Sequence, residues 1–120
     1  MKRVLTITLQ DDWKAALREG GRIARAGLEK GRYQGERLNF ESPAAFFQRL
    51  TPNRWEMVRA LQGAGEVGVR ELARRLSRDV RRVHDDAQVL VSLGLVEKTP
   101  AGKLICPYDD IHLDMHLKVA

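Results

Sequence analysis

The chain has 120 residues, 43% of them hydrophobic, which suits one small domain with its own core. A single cysteine, Cys106, excludes an internal disulfide framework, and its place in a predicted strand favours a buried apolar role. No run is long and apolar enough to span a bilayer, and the first residues lack the features of a secretory signal. We therefore expect a cytoplasmic protein with no membrane partner.

The first fifty residues predict two strands and two helices. The first strand is indicated by apolar residues that alternate with threonines, namely Leu5, Ile7 and Leu9. A helix is expected next, weakened at Gly20-Gly21, with an apolar stripe formed by Trp13, Leu17, Ala24 and Leu28. Residues 38–40 predict a short strand. Ser42-Pro43 then begins a helix whose inward side chains are expected to be Phe46, Phe47 and Leu50.

Three helices are predicted between residues 51 and 94. Thr51 and Pro52 suit the start of the first, whose apolar face would comprise Trp55, Met57, Val58 and Leu61. The second, VRELARRL, is a short amphipathic helix. After about three residues, Asp79 can cap the third, which would end at Gly94 and bury Val83, Ala87, Leu90 and Val91. This spacing suits a helix-turn-helix, in which the second helix of the motif enters the DNA major groove.

A hairpin is predicted after the third helix. The segment LVEKTPAGKLIC alternates, turns through residues 99–102 and alternates again, with Lys98 and Lys103 beside the tip. Residues 67–69 could add a brief third strand. Three helices followed by such a hairpin predict a winged helix, in which the hairpin is the wing.

The end of the chain predicts an amphipathic strand. Apolar residues alternate with polar ones from Ile111 to Val119. Its natural partner is the N-terminal strand, within one chain or between two. The polar set His112, Asp114 and His116 is weighed as a metal site, but alternate strand residues are about 7 Å apart and converge poorly on one ion, so a solvated face is favoured. We expect no metal and no cofactor.

The segments RELARRL and RDVRRVHDDAQVLVSLGLVEK resemble the winged helix-turn-helix domains of bacterial and archaeal transcription regulators. The ending LxxLGLVEK is the strongest part of the likeness, and it specifies fold better than ligand. A narrower likeness, from LTPNRWEMVRAL to CPYDDIHLDMHL, is to small antitoxin-like DNA-binding proteins, including partners of TumE-type toxins. That resemblance implies a regulator encoded beside a toxin, binding both its own promoter and that toxin.

A basic run coincides with the predicted turn and the start of the third helix. Residues 70–82 hold six arginines against two carboxylates. A solvated helix face is the alternative, but this position favours binding to double-stranded DNA. The side chains expected to read bases are Arg81, Arg82, His84 and Asp85. Those expected to contact phosphates are Arg70, Arg74, Arg75, Arg78, Lys98 and Lys103.

Catalysis finds little support in the sequence. There is no phosphate-cradling glycine loop, no cysteine cluster and no nucleophile within a recognisable motif. Two function classes remain. The first is a sequence-specific DNA-binding regulator, a dimeric repressor that could also be the antitoxin of a toxin-antitoxin pair. The second is a protein-interaction module that neutralises a toxin and binds DNA only weakly.

The predicted architecture is α+β in three parts. Residues 1–50 form a strand-helix extension, residues 51–108 the winged helix-turn-helix domain, and residues 109–120 a C-terminal strand. A homodimer is expected because one winged helix reads only a few base pairs. The apolar residues expected to form the dimer or partner surface are Leu5, Ile7, Leu9, Leu113, Met115 and Leu117.

Overall fold

The computed structural model describes residues 3–9, 18, 20–25 and 35–116. It has a mixed α+β architecture, as predicted. In chain order the elements are β1 (Val4–Leu9), α1 (residues 20–25), β2 (Glu36–Phe40), α2 (Pro43–Arg49), α3 (Pro52–Leu61), α4 (Val69–Leu76), α5 (Val80–Leu93), β3 (Glu97–Lys98), β4 (Leu104–Ile105) and β5 (Asp110–Asp114). The chain divides into two compact units, one comprising Met1–Gln48 with Asp110–Ala120 and the other Arg49–Asp109.

The first unit contains a three-stranded parallel sheet in the order β2-β1-β5. Ile7, on the central strand β1, lies opposite Leu38 of β2 and Leu113 of β5. The sequence left open whether the C-terminal strand pairs within one chain or between two, and the structure pairs it within the chain. Two strands that are far apart in sequence therefore flank the N-terminal strand.

The two faces of this sheet differ in polarity. Leu5 and Ile7 are buried on one face, as the alternation of apolar residues predicts. On the other face the hydroxyl of Thr8 donates to the side-chain oxygen of Asn39 at 2.8 Å. Thr8 is itself buried, so the polar residue on this face is satisfied by a hydrogen bond rather than by solvent.

Helix α2 begins at Pro43, as predicted. The hydroxyl of Ser42 accepts from the backbone N–H of Ala45 at 3.1 Å. Phe46 is fully buried, and its ring packs edge to face on Phe40 at 5.3 Å. The inward placement predicted for Phe47 is wrong, because this side chain is 54% exposed. Neighbouring residues of a helix project about 100° apart, so Phe46 and Phe47 do not share one narrow buried stripe.

The second unit contains three helices with the predicted ends. The hydroxyl of Thr51 caps α3 by accepting from the N–H of Arg54, and the carboxylate of Asp79 caps α5 by accepting from the N–H of Arg82. Gly94 ends α5 in the left-handed conformation, with φ of 84°. Helices α3 and α4 both contact α5. The buried side chains of the three helices are Met57, Val58, Leu61, Leu72, Ala73, Val83, Ala87 and Leu90.

Three residues, 77–79, connect α4 to α5. Ser77 has a φ of 53°, in the left-handed region, and its N–H bonds to the carbonyl oxygen of Arg74. The N–H of Arg78 bonds to the carbonyl oxygen of Ala73 at 3.0 Å. These bonds satisfy carbonyl groups at the end of α4 and close the turn.

Strands β3 and β4 form an antiparallel hairpin, as predicted. Its loop is closed by the N–H of Thr99, which donates to the carbonyl oxygen of Lys103 at 2.8 Å. The brief third strand is reduced to one bridge, in which Val67 and Leu104 exchange two backbone hydrogen bonds of 2.8 Å. Cys106 is buried, as predicted, and burial raises the pKa of its thiol above the ordinary value.

Some predictions fall outside the described residues, including the placement of Trp13, Leu17, Leu28 and Leu117. Residues 20–25 are helical, so Gly20 and Gly21 lie within a helix. Among the described helices, none combines the length and the apolar character that crossing a membrane requires.

Candidate functional site

The first turns of α5 carry the four residues predicted to read bases, and all four are exposed. Arg81 and Arg82 make no side-chain hydrogen bond or ion pair with any described residue. The Nδ1 atom of His84 lies 3.7 Å from the carboxylate of Asp85, and both side chains face solvent, at 49% and 71% exposure. The structure therefore brings the four predicted side chains to the accessible surface of one helix.

The outward face of α5 extends further than the sequence predicts. Successive helical residues project about 100° apart, which places Arg81, Asp85 and Gln88 on the side opposite Val83 and Leu90. All three are exposed, whereas Val83 and Leu90 are fully buried. Gln88 is absent from the predicted contact residues, although its spacing of seven residues from Arg81 is the signal that could have found it. Arg82 lies to one side of this outward face.

Asp86 holds two arginines in a cluster that joins three parts of the second unit. Its carboxylate accepts from Nε of Arg54, on α3, at 3.0 Å and from Nη2 of Arg78, in the turn, at 2.6 Å. The three side chains are only 17–20% exposed. Burial alone would raise the pKa of Asp86, but the hydrogen bonds and charges of Arg78 and Arg54 outweigh it, so the pKa lies below its usual value. The cluster ties α3, the turn and α5 together.

This cluster changes the role expected of Arg78. The side chain of Arg78 is only 19% exposed, and its guanidinium donates to Asp86. Its Nη1 atom is buried and has no hydrogen-bond partner among the described residues. A covered, paired arginine is poorly placed to contact a phosphate, so Arg78 is better assigned to holding the turn.

Glu71 engages two further arginines of the basic run on α4. Its carboxylate accepts from Nη2 of Arg74 at 2.5 Å and from Nε of Arg75 at 3.0 Å. Nε of Arg74 also donates to this carboxylate, at 2.9 Å, and the hydrogen bonds of Arg74 and then Arg75 lower the pKa of Glu71 to about 2. Arg74 and Arg75 remain 73% and 46% exposed. They stay accessible, but each shares its charge with one carboxylate.

The other cations predicted to contact phosphates are exposed and unshared. Arg70 lies near the start of α4, and Lys98 and Lys103 lie on either side of the hairpin loop. None of these three side chains has a hydrogen-bond or ion-pair partner among the described residues. Like Arg81 and Arg82, these three cations are therefore exposed and unpaired within the part of the chain that the structure describes.

The predicted dimer or partner surface is only partly exposed. Leu5 and Ile7 are buried and belong to the central strand of the sheet, so they are not available to a partner. Leu9 is half-buried. Leu113 and Met115 are 38% and 39% exposed. The accessible part of this surface therefore lies along β5 and the residues that follow it.

The polar side chains near the end of the chain do not gather into a metal site among the described residues. Nε2 of His116 lies 2.9 Å from a carboxylate oxygen of Asp114, in an exposed pair. His112 is exposed on the same strand. The arrangement fits a polar strand face better than an ion-binding centre.

The comparisons with known proteins give one result. The HVO_A0114 family matches residues 49–113, which include the whole second unit and most of β5. No curated protein and no solved structure matches the chain. Because the match extends over more than half of the 120 residues, this chain belongs to the HVO_A0114 family.

Proposed function

We propose that this protein is a winged helix-turn-helix regulator that binds double-stranded DNA in a sequence-specific manner. In this proposal α4 and α5 are the two helices of the motif, and the β3–β4 hairpin is the wing. The three-residue turn, the order of the elements and the bridge between Val67 and Leu104 support the assignment. Transcription would be repressed by occupation of a promoter.

The observation that carries the proposal is the free pair of arginines at the start of α5. Arg81 and Arg82 are exposed and have no partner among the described residues, whereas Arg54 and Arg78 are held by Asp86. The N-terminal residues of a recognition helix are the ones that meet base edges. Two unshared guanidinium groups at that position are suited to guanine, whose O6 and N7 accept two hydrogen bonds from one arginine.

Gln88 extends this proposed contact face along the helix. Gln88 lies on the same face of the helix as Arg81 and Asp85, two turns after Arg81. A glutamine amide can pair bidentately with N6 and N7 of adenine, and a carboxylate can accept from N4 of cytosine. The outward face of α5 therefore offers partners for three different bases.

Phosphate contacts are assigned to the exposed cations that flank the recognition helix. Arg70, Lys98 and Lys103 have no side-chain partner among the described residues, and Arg74 and Arg75 are exposed but share Glu71. Contacts to phosphates position a protein on the duplex without reading sequence. Removing them should weaken binding to all sequences alike.

Binding of DNA can be tested by selecting duplexes from a random pool and measuring their affinity at fixed salt. Replacement of Arg82 by Ala should cost about 1 to 3 kcal/mol, which is about a 5- to 150-fold loss of affinity, and relax the preference at one base. The same result is expected for Arg81→Ala. Arg37→Ala is the matched control, because Arg37 is an exposed arginine on β2 in the other unit.

The proposal fails if the selection yields no preferred sequence above the random pool. The assignment of α5 fails if Arg81→Ala and Arg82→Ala keep the affinity and the sequence ranking of the unaltered chain. A loss that Arg37→Ala shares equally would indicate unspecific attraction by positive charge.

The alternative is a protein-interaction module that neutralises a partner toxin and binds DNA weakly. The large exposed side chain of Phe47, on α2, favours this alternative because exposed aromatic residues are enriched at protein interfaces. Two results would favour this alternative. One is tight binding to a purified toxin encoded beside this chain, weakened by Phe47→Ala, and the other is DNA binding without sequence preference. The two roles are compatible, as in an antitoxin that also represses its own promoter.

A further inference from the structure

The outer edge of β5 is one of the two edges of the described sheet at which a further strand could pair. Strand β5 pairs with β1 on one side, and no described strand pairs with its other side. Its side chains are exposed or half-buried throughout. An edge strand presents unpaired backbone N–H and C=O groups that can pair with another strand.

The backbone direction defines which groups face this edge. The N–H of Asp110 donates to the carbonyl oxygen of Arg3, on the β1 side. Backbone groups point alternately to the two sides of a strand, so those of His112 and Asp114 also point toward β1. The groups of Ile111 and Leu113 then point outward, and an added strand must bond to these.

We propose that β5 pairs with β5 of a second copy, antiparallel, about a two-fold axis at Leu113. In this register each Leu113 lies opposite the partner's Leu113, and each Ile111 lies opposite the partner's Met115. His112 lies opposite the partner's Asp114, twice by symmetry. The apolar residues share one face of the sheet, and each imidazole faces a carboxylate on the other.

Charge complementarity selects this register over its two immediate neighbours. An axis at His112 would place Asp110 opposite the partner's Asp114 twice, and an axis at Asp114 would oppose two Asp114 carboxylates. Like charges directly opposite one another destabilise a strand pair, whereas opposite charges stabilise it. A two-fold axis that passes between two residues is excluded, because it would place the outward-pointing backbone groups of one copy opposite inward-pointing groups of the other.

An axis at Ile111 also pairs a histidine with an aspartate, but it fails beyond the strand. It would place Asp109 opposite the partner's Leu113 on the apolar face. It would also place Pro107, which has no N–H, opposite the partner's Met115. Among the axes from Ile111 to Asp114, the one at Leu113 is therefore the register in which charge, polarity and backbone bonding agree.

This inference deepens the proposed function, because two copies are what a regulator with two DNA half-sites needs. It is independent of DNA in its test, so its failure would leave DNA binding untouched. Equally, failure of DNA binding would not affect the strand pairing.

Disulfide trapping in the full chain tests the register. A Leu113→Cys variant should form a disulfide-linked dimer under mild oxidation, since residues of a hydrogen-bonded pair have Cα atoms about 5.5 Å apart. His112→Cys is the matched control on the adjacent position, where the two copies would be about 7 to 8 Å apart and cross-link about ten-fold more slowly. Oxidation of the unaltered chain measures any cross-linking through the buried native Cys106.

Two further measurements guard against a variant that does not fold. A mixture of Ile111→Cys and Met115→Cys should give the mixed dimer in preference to either homodimer. His112→Asp should raise the dimer dissociation constant measured by ultracentrifugation about ten-fold, and adding Asp114→Lys to the same chain should restore it.

Faster cross-linking of His112→Cys, or of Ile111→Cys with itself, would overturn the proposed register. Cross-linking no faster than the unaltered chain, by both Leu113→Cys and the mixture, would overturn the pairing of β5 edges altogether.

Discussion

Replacement of Asp86 by Ala should destabilise the second unit far more than its position on an amphipathic helix suggests. The change removes the acceptor that Nε of Arg54 and Nη2 of Arg78 share, at 3.0 and 2.6 Å. It leaves two guanidinium groups that are about four-fifths covered, close together and without a carboxylate between them. Arg54 keeps the carbonyl oxygen of Arg49 as an acceptor at 2.8 Å, but neither guanidinium then has a carboxylate partner among the described residues.

The expected loss follows from the exposure of the cluster. Removing one partner of a fully buried ion pair costs about 3 to 5 kcal/mol. These side chains are still 17–20% exposed, so solvent screens part of the remaining charge. We therefore expect the free energy of unfolding to fall by about 2 to 3 kcal/mol. For a unit of this size each kcal/mol lowers Tm by about 4 to 8 °C, so the loss should exceed about 8 °C.

Thermal unfolding followed by circular dichroism, and urea unfolding at fixed pH, measure this loss. Asp85→Ala is the matched control, because it removes the same group from the neighbouring position, where the side chain is 71% exposed. That control should change the free energy of unfolding by about 0.5 kcal/mol or less. Equal destabilisation by Asp85→Ala and Asp86→Ala would refute the reasoning.

The pH dependence provides a second check on the same carboxylate. The pKa of Asp86 is lowered in the folded chain, so its contribution is present above the unfolded pKa of about 3.9 and is lost as the pH falls through the folded value. The difference in stability between the unaltered chain and Asp86→Asn should therefore be constant at neutral pH and shrink below about pH 4. A difference that persists unchanged into strong acid would show that the charge is not the cause.

Three further predictions concern DNA contacts and the thiol. Gln88→Ala should relax the preference at one base pair, with a loss of about 1 to 3 kcal/mol on the selected sequence and little on others, and an unchanged sequence ranking would contradict it. The double variant Lys98→Ala with Lys103→Ala should reduce the slope of log K against log salt by about 2 with the sequence ranking kept, whereas an unchanged slope would remove the hairpin from the interface. Cys106, which is buried with a raised thiol pKa, should react with a thiol reagent at least about 100-fold faster in urea than in buffer, and equal rates would contradict its burial.

Local signals predicted the helices and their ends well. Thr51, Asp79 and Gly94 each act on the backbone within three or four residues, so the information needed to place them is adjacent in sequence. Three of the four side chains predicted for the buried stripe of α5 are buried, whereas Val91, at the border of the stripe, is only half-buried. Capping and periodicity do not depend on where the rest of the chain lies.

Pairings between distant segments were harder to predict. The alternation after Ile111 indicates a strand, but nothing in it distinguishes pairing within the chain from pairing between chains. The burial of Leu5 and Ile7 follows from the central place of β1, which depends on strands from both ends of the chain. The alternation of apolar residues alone therefore could not show which apolar side chains of β1 and β5 are exposed to a partner.

The ion cluster was missed for a different reason. Asp85 and Asp86 look alike in sequence, yet one is 71% exposed and the other 17%. The signal was available in the helical period, because Asp86 lies three residues after Val83 and four before Leu90, beside the buried stripe. What could not be read was the identity of its partners, since Arg54 lies 32 residues away.

The same cluster explains why counting arginines misjudges the proposed DNA surface. The basic run offers many guanidinium groups, but Asp86 withdraws Arg78 and Glu71 shares Arg74 and Arg75. No described carboxylate pairs with Arg81 or Arg82, which lie where base readout is proposed.

Asp86 thus has two consequences for the proposed function. It takes a cation away from the surface, and it secures the turn from which α5 begins and from which Arg81 and Arg82 project. Positioned side chains need support from neighbours that do not themselves touch the ligand, because a small misplacement of the helix start would move both guanidinium groups from their bases. Loss of Asp86 should therefore weaken sequence preference as well as stability, even at temperatures where the unit remains folded.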